Sequence, residues 1–455
     1  MTPLSAGTIA AMCGGSLIQG CPSDLIPGVS KDTRSLTGGE IYLALSGENF
    51  EGHDFVRQAE KAGAVGVLVS QLTKDTEDLS GTVIHVKDTL GALQNLARNY
   101  RRMLKGLKVV GVTGSNGKTS SKDFIAAVLG QGHRVNATRG NLNNHIGLPL
   151  TVLATEADHT VGVWEMGMSH PGEIEVLAEI ARPDIAVITN IGVAHLEFME
   201  SREAIAKEKG MLAESLPQDG WLIMPEEDDF TESIRGRTGA RVMTVGISCG
   251  DLRAENLLET SKGTQFQIIS PDGKSIEAEI AVPGRHMVVN ALFAAAVGQI
   301  LGVGGEETMR GLKAAKLTGG RLHLSRINGV DVLDDSYNAN PDSMRAALRT
   351  LASLPCEGRR VAALGVMAEL GTHAEQEHRA LAAEVNRAGV DMLVTIGDMP
   401  ALIGEGLNNG VEVCKFDDCE QGGLFLRDWL EPGDLLLVKG SRSAGMEVVI
   451  DRLND

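Results

Sequence analysis

Residues 109–121, VVGVTGSNGKTSS, set a lysine and a hydroxyl directly after a glycine-rich turn. Gly114 and Gly117 allow backbone angles that other residues resist. Amides from Thr113 to Ser120, along Gly114, Ser115, Asn116 and Gly117, would converge on one spot at a helix N-terminus, which favours an anion. Lys118 would then reach the terminal phosphates of a nucleotide, and the Thr119 hydroxyl would ligate Mg²⁺. The strict phosphate-loop pattern places a glycine five residues before Gly117, where Val112 stands. This chain reads Gly111-x-x-Gly114-x-x-Gly117-Lys118-Thr119 instead. A turn that binds nothing would not need lysine and threonine at the foot of a helix.

Further polar residues follow expected strand ends, where α/β sheets present their chemistry. A strand over 160–164 ends in Glu165, a carboxylate suited to Mg²⁺. TNIGVAHLE places His195 just past another strand. Lys207 and Lys209, in AIAKEKGMLAESL, read by composition alone as solvated helix charges. LDDSYNANPDSM sets Asp335, Tyr337, Asn338 and Asn340 before a helix that Pro341 can begin. Arg321 follows Gly320, and Lys439-Gly440-Ser441-Arg442 follows a strand; a cation at either place could neutralise charge developing on phosphate.

These residues need a scaffold of alternating strands and helices. Val109, Val110 and Val112 suit a buried strand, with a helix from about Thr119. TVGVWEMG, DIAVITNIG and GWLIMP continue the rhythm of a parallel sheet covered by helices. Between about 236 and 282 the pattern predicts an antiparallel insert with a Pro-Asp-Gly turn, and then a helix over 286–301. From near Gly319, VDVLDD, RVAALGV, DMLVTIG and DLLLVKG predict a second doubly wound sheet. The first block carries EIYLAL, VGVLVS and TVIHV, followed by the helix TLGALQNLARNYRRML. The expectation is an α/β chain of three domains: 1–87, 88–318 with the phosphate loop, and a Rossmann-like 319–455.

At 455 residues the chain exceeds one ordinary core, and 55 glycines suit many tight βα turns. A formal net charge of −18 argues against a nucleic-acid partner, which needs clustered lysine and arginine. The six cysteines form no C-x-x-C pair and read as reduced thiols of a cytoplasmic protein. The N-terminus lacks the basic start of a signal peptide. The uncharged run 287–304 is nearly long enough to span a bilayer, but Asn290, Gln299 and three glycines favour a buried helix. No membrane insertion is expected. A GTPase-type switch would read guanine with Asn-Lys-x-Asp, and no asparagine here precedes a lysine.

Taken together, the loop without the strict first glycine, NLNNHIGLPLT (141–151), EMGMSHPGEI (165–174), TNIGVAHLE (189–197), PGRHMVVNALFAAAVG (283–298) and DDSYNANPDSM (334–344) resemble the Mur ligases of peptidoglycan synthesis. KDTRSLTGGEIYLALSGENFEGHDF (31–55) resembles their uridine-nucleotide domain, with Glu51 where an aspartate is usual. A folylpolyglutamate synthase would share the loop, glutamate and histidine but not this first block. The resemblance implies ATP-dependent amide formation through an acyl phosphate. Tyr337-Asn338-Ala339-Asn340-Pro341 fits the member that adds D-alanyl-D-alanine to a UDP-N-acetylmuramoyl-tripeptide, acting as a monomer. It further implies that Lys118 holds the β- and γ-phosphates and that Thr119 and Glu165 hold one Mg²⁺. His195 and a carbamylated Lys209 would hold a second, with Lys207 the runner-up for the carbamate. Asn290, Arg321, Asp335, Tyr337, Asn338 and His286 would serve the nucleotide. Asp32, Thr33, Arg34, Gly52, His53, Asn143 and Asn144 would face the UDP-substrate.

Overall fold

The computed structural model describes residues 1–47, 50–260 and 262–455. Glu48 and Asn49, in the quoted stretch 31–55, and Ser261, in the expected insert, lie outside the described residues. The chain forms two compact units, Met1–Gly111 with His133–Met168 and Gly172–Asp184, and Val112–Gly132 with Ser169–Pro171 and Ile185–Asp455.

The first unit contains a five-stranded sheet in the order Ser16–Gln19, Thr82–His85, Gly66–Val69, Ile41–Leu43, Val29–Ser30. Only the Ser16–Gln19 pairing is antiparallel. Tyr42, Val56, Val67, Val69 and Val83 fill one side of it. The helix Thr89–Met103 is opened by Asp88, whose carboxylate accepts from the Leu90 and Gly91 amides. Its Leu93, Leu96, Ala97 and Tyr100 are buried, one apolar stripe at helical spacing.

The largest sheet has nine strands, in the order Val135–Ala137, Val161–Glu165, Lys108–Thr113, Ile185–Ile188, Trp221–Pro225, Arg241–Ile247, Leu252–Thr260, Gly263–Ile269, Ser275–Ile280. The strand expected at 160–164 runs to Glu165, and the loop helix begins at Lys118. One expectation is corrected. Arg241–Ile247 is not part of an antiparallel insert; it pairs in parallel with Trp221–Pro225 because the short helix Thr231–Arg235 carries the chain back across the sheet. Antiparallel pairing starts between Leu252–Thr260 and Gly263–Ile269 and continues to Ser275–Ile280.

The uncharged run becomes the helix Arg285–Ile300, with Val288, Leu292, Phe293 and Val297 fully buried. It packs on the loop helix Lys118–Leu129. The helix Gly305–Ala314 also meets that helix, and a Cβ at Gly311 would lie 2.6 Å from the Val128 Cα. Glycine there permits the close approach. No helix among the described residues is long and apolar enough to cross a membrane.

The last sheet has six strands: His323–Ile327, Val330–Asp335, Leu435–Lys439, Arg360–Leu364, Met392–Ile396, Glu412–Phe416. Five run in parallel, and His323–Ile327 is an antiparallel edge. Asn328 and Gly329, both with positive φ, turn the chain into that hairpin.

Candidate active site

The glycine loop is built on the segment that follows Ile185–Ile188. Ser115 N–H donates to the Asn190 carbonyl at 3.0 Å, and Asn116 N–H to the Asn190 side-chain oxygen at 2.8 Å. Gly192 N–H donates to Ser115 Oγ at 2.9 Å. Gly114 has φ 148°, and a Cβ there would sit 1.9 Å from Thr189 Oγ1; one at Gly117, φ 76°, would sit 2.6 Å from Asn290 Oδ1. Both glycines are therefore demanded by contact as well as by angle. Asn290 Oδ1 accepts from Ser121 Oγ at 3.2 Å, tying the helix Arg285–Ile300 to the loop helix. Lys118 Nζ donates to the Gly114 and Ser115 carbonyls, at 2.8 and 3.3 Å. Thr119 and Ser120 are buried at the helix start.

Glu165 is buried at its strand end. Its Oε1 accepts from Asn143 Nδ2 at 2.8 Å, and its amide donates to Thr138 Oγ1 at 2.9 Å. Asn143 is thus brought to the carboxylate. Asn144 Oδ1 accepts from the Ile146 and Gly147 amides at the head of Gly147–Leu153.

His195 stands in a left-handed conformation, φ 61°, and its Nδ1 meets Glu369 Oε2. An ionised carboxylate only accepts, so Nδ1 carries the proton. That hydrogen bond is the first cause holding the Glu369 carboxyl below the usual range, and His170 and Lys118 add to it. Lys209 and Lys207 divide sharply on the helix Arg202–Glu214: Lys209 is 1% exposed, whereas Lys207 is exposed. Burial, and then the charge of Lys118, push the Lys209 ammonium well below its ordinary pKa.

The 334–344 run reaches the phosphate loop. Asn340 Nδ2 donates to Asn116 Oδ1 at 2.7 Å, and Asp342 Oδ2 accepts from Val193 N–H at 3.0 Å. Asn340 also caps the helix Pro341–Ser353. Asp335 Oδ2 pairs with Lys439 Nζ at 2.5 Å, and that ammonium donates to the Asn338 carbonyl at 2.8 Å. The Arg321 guanidinium lies over the Tyr337 ring, 4.3 Å from its centroid. Arg442 instead pairs with Glu447.

His286 opens Arg285–Ile300. Burial, helped by the charge of Lys439, lowers its pKa from 6.5 to about 4. The unfolded chain takes up this proton near pH 6.5 and the folded chain only near 4. The neutral ring therefore costs no stability above about pH 6.5, and stability falls progressively as the pH drops toward about 4. Urea midpoints at about pH 7.5 and 5 should show a smaller acid loss for His286→Gln than for the parent. An equal loss would contradict the lowered pKa of this half-buried ring.

In the first block, Arg34 Nε and Nη2 grip Asp32 at 2.9 and 2.7 Å, holding its carboxyl at about 2, and Thr33 lies between them half-buried. His53 is buried with both ring nitrogens engaged: Nε2 accepts from Ser70 N–H at 3.0 Å, and Nδ1 faces Glu51. Gly52 is needed because a Cβ would lie 2.4 Å from the Leu45 carbonyl oxygen. The Tyr42 hydroxyl donates to the Gly52 carbonyl, and burial, Asp32 and Glu51 raise its pKa to about 12.

Three residues of this arrangement escaped the sequence reading: Asn190, Asp342 and Glu369. Asn190 and Glu369 lie shortly after strand ends, the signal that singled out Glu165 and His195. Asp342 lies in the first turn of a helix, where an acidic residue reads simply as a favourable end charge.

A glycine turn at a helix start, reached by a segment from a second, mostly parallel sheet, makes a nucleotide-type phosphate site in an α/β protein. Sequence profiles match in three places: "Mur ligase family, catalytic domain" over 25–101, "Mur ligase middle domain" over 112–298, and "Mur ligase, glutamate ligase domain" over 320–442. The UDP-N-acetylmuramoyl-tripeptide–D-alanyl-D-alanine ligase of Bacillus subtilis is 39% identical over 436 residues, covering 94% of this chain and 93% of that protein. A crystal structure of MurF from Acinetobacter baumannii superposes with a TM-score of 0.91, at 31% identity and 99% coverage of both chains. MurF ligase from Thermotoga maritima in complex with ADP gives 0.83 at 26% identity, over 94% of this chain and 97% of that one. The chain belongs to the Mur ligase family.

Proposed function

We propose that the chain joins D-alanyl-D-alanine to UDP-N-acetylmuramoyl-tripeptide at the expense of ATP, in the cytoplasmic stage of peptidoglycan precursor synthesis. The observation that carries this reading is the seating of the 334–344 run on the glycine loop through Asn340 and Asn116. It sets the residues that mark this member of the family against the phosphate site. On this reading the domain boundaries lie at 87/88 and 318/319.

The terminal carboxylate of the tripeptide attacks the γ-phosphorus, and the bond to ADP breaks. The dipeptide amine then attacks the acyl carbon, the amide forms, and the bond to phosphate breaks. Positioning and charge stabilisation supply most of the rate. The loop amides and Lys118 take the β- and γ-phosphates. Asn290, Arg321, Tyr337, Asn338, Asp335 and His286 serve the rest of the nucleotide. Asp32, Thr33, Arg34 and the Gly52-His53 turn serve the uridine end, with Asn144 near the sugar-peptide.

The donor set suits Mg²⁺. Thr119 and Glu165 are buried oxygen donors. Burial lowers the Lys209 pKa and so favours the neutral amine, the form that adds CO₂ to become an oxyanion; Lys207 on the same helix is exposed. Thr119 and Glu165 would hold one ion, and His195 with carbamylated Lys209 another. Bound there, Mg²⁺ neutralises phosphate charge and orients its oxygens.

The test is phosphate release from ATP with UDP-N-acetylmuramoyl-tripeptide present. Release should require D-alanyl-D-alanine for sustained turnover, and a pentapeptide product should accumulate with it. Equal turnover on folate substrates would overturn the reading.

A further inference from the structure

We propose that Glu369 is the positioning residue for His195: it fixes the imidazole so that Nδ1 carries the proton and the Nε2 lone pair is presented to the reaction site. The proposal rests on the reading of His195 as a metal ligand. The two residues are 174 positions apart, and two separate family profiles cover them. The His195 Nδ1 and Glu369 Oε2 atoms are in direct contact.

The surrounding backbone is over-determined. His195 and Glu369 both have φ 61°, a conformation that side-chain-bearing residues rarely adopt. Such angles persist where neighbouring contacts enforce them. The His195 carbonyl accepts from the Phe198 and Met199 amides at 3.1 and 3.0 Å. The Glu369 carbonyl accepts from Glu197 N–H at 3.2 Å, so the two turns are clipped together by main chain beside the side-chain pair. Met367 and Leu370, 1% and 2% exposed, anchor the loop on either side of Glu369. Met367 N–H is further held by the buried His378, at 3.0 Å. The Glu369 side chain is 46% exposed, so the two left-handed turns and the main-chain clip, more than burial, hold the pair.

The chemistry gives this arrangement a purpose. A ligating histidine must present one nitrogen without a proton, and a carboxylate on the other nitrogen selects that tautomer. A neutral histidine side chain without such a partner favours the opposite, Nε2–H tautomer. Because Glu369 arrives from the last sheet, the ring is oriented only when its loop is seated on the His195 turn.

The test uses full-length protein carrying ¹⁵N-histidine, with Glu369→Gly and Glu369→Gln. Glycine removes the carboxylate while accepting φ 61° without penalty, and glutamine keeps an acceptor oxygen. His195 is assigned by the signal lost in His195→Gln. In metal-free buffer at about pH 9, long-range ¹H–¹⁵N spectra should show the Nδ1–H tautomer in the parent and in Glu369→Gln. Glu369→Gly should shift to the Nε2–H form. Mn²⁺ affinity in the presence of a non-hydrolysable ATP analogue should weaken about ten- to a hundredfold in Glu369→Gly and recover in Glu369→Gln. The same tautomer in the parent and Glu369→Gly, or unchanged Mn²⁺ affinity, overturns the proposal. Failure of the parent to form the peptide bond would overturn the proposed reaction and leave the tautomer result standing.

Discussion

Lys118→Ala is expected to lower turnover about a hundred- to a thousandfold while the protein remains folded. Lys118 stands at the N-terminus of Lys118–Leu129, and its ammonium lies against the loop carbonyls of Gly114 and Ser115. The same reach brings it to the phosphates of ATP. One preorganised donor to developing charge is worth ~3–4 kcal/mol, which is the quoted loss in rate. Stability should change little, because the loop is held independently by Asn190, Thr189 and Gly192. Phosphate release and thermal unfolding, measured on one preparation, separate the two effects. A folded variant within about tenfold of the parent would remove Lys118 from the mechanism.

Lys209→Ala is expected to be nearly as damaging, and differently so. Its ammonium is buried, and two causes push its pKa down, first desolvation and then Lys118. A charged lysine at that place has no ready function, whereas the carbamate is an anionic oxygen ligand. Removing it should cost at least about a hundredfold in rate. The cavity also costs stability, so loss of rate alone proves little. The discriminating result is partial recovery on adding acetate or another short carboxylate, which can enter the space and restore oxygens. Lys207→Ala should stay near the parent: its side chain is exposed, and Arg237 bonds only its main-chain carbonyl. A dead Lys207→Ala with a healthy Lys209→Ala would assign the carbamate to Lys207. Two healthy variants would exclude a carbamate from this site.

What the sequence made legible was local. The valines at 109, 110 and 112 gave a buried strand, and the lysine after Gly117 marked a helix start to within one residue. Strand ends located Glu165 and His195 because sheets expose chemistry there. Burial was not legible. By residue type Lys207 and Lys209 look alike; the family resemblance ranked Lys209 first, and the packing of Arg202–Glu214 buries Lys209 while leaving Lys207 exposed. Nor was partnership across distance. Glu369 gains its meaning from a histidine 174 residues away, and Asn143 from Glu165. The parallel strand Arg241–Ile247 was misread because direction is set by the crossover before a strand, which its own residues do not encode. The hairpin at Asn328-Gly329 carries the local asparagine-glycine signal of a tight turn, although the sequence pattern was read only for the strand after it.

The central claim is that the substrate carboxylate attacks ATP and that its oxygen leaves with phosphate. It is tested most directly by supplying UDP-N-acetylmuramoyl-tripeptide with ¹⁸O in both oxygens of its terminal carboxylate, together with ATP, Mg²⁺ and D-alanyl-D-alanine. The account predicts one ¹⁸O in each inorganic phosphate released and one retained in the new amide carbonyl. Phosphate free of ¹⁸O, formed at the rate of peptide-bond formation, would contradict an acyl phosphate and with it the assignment of this site.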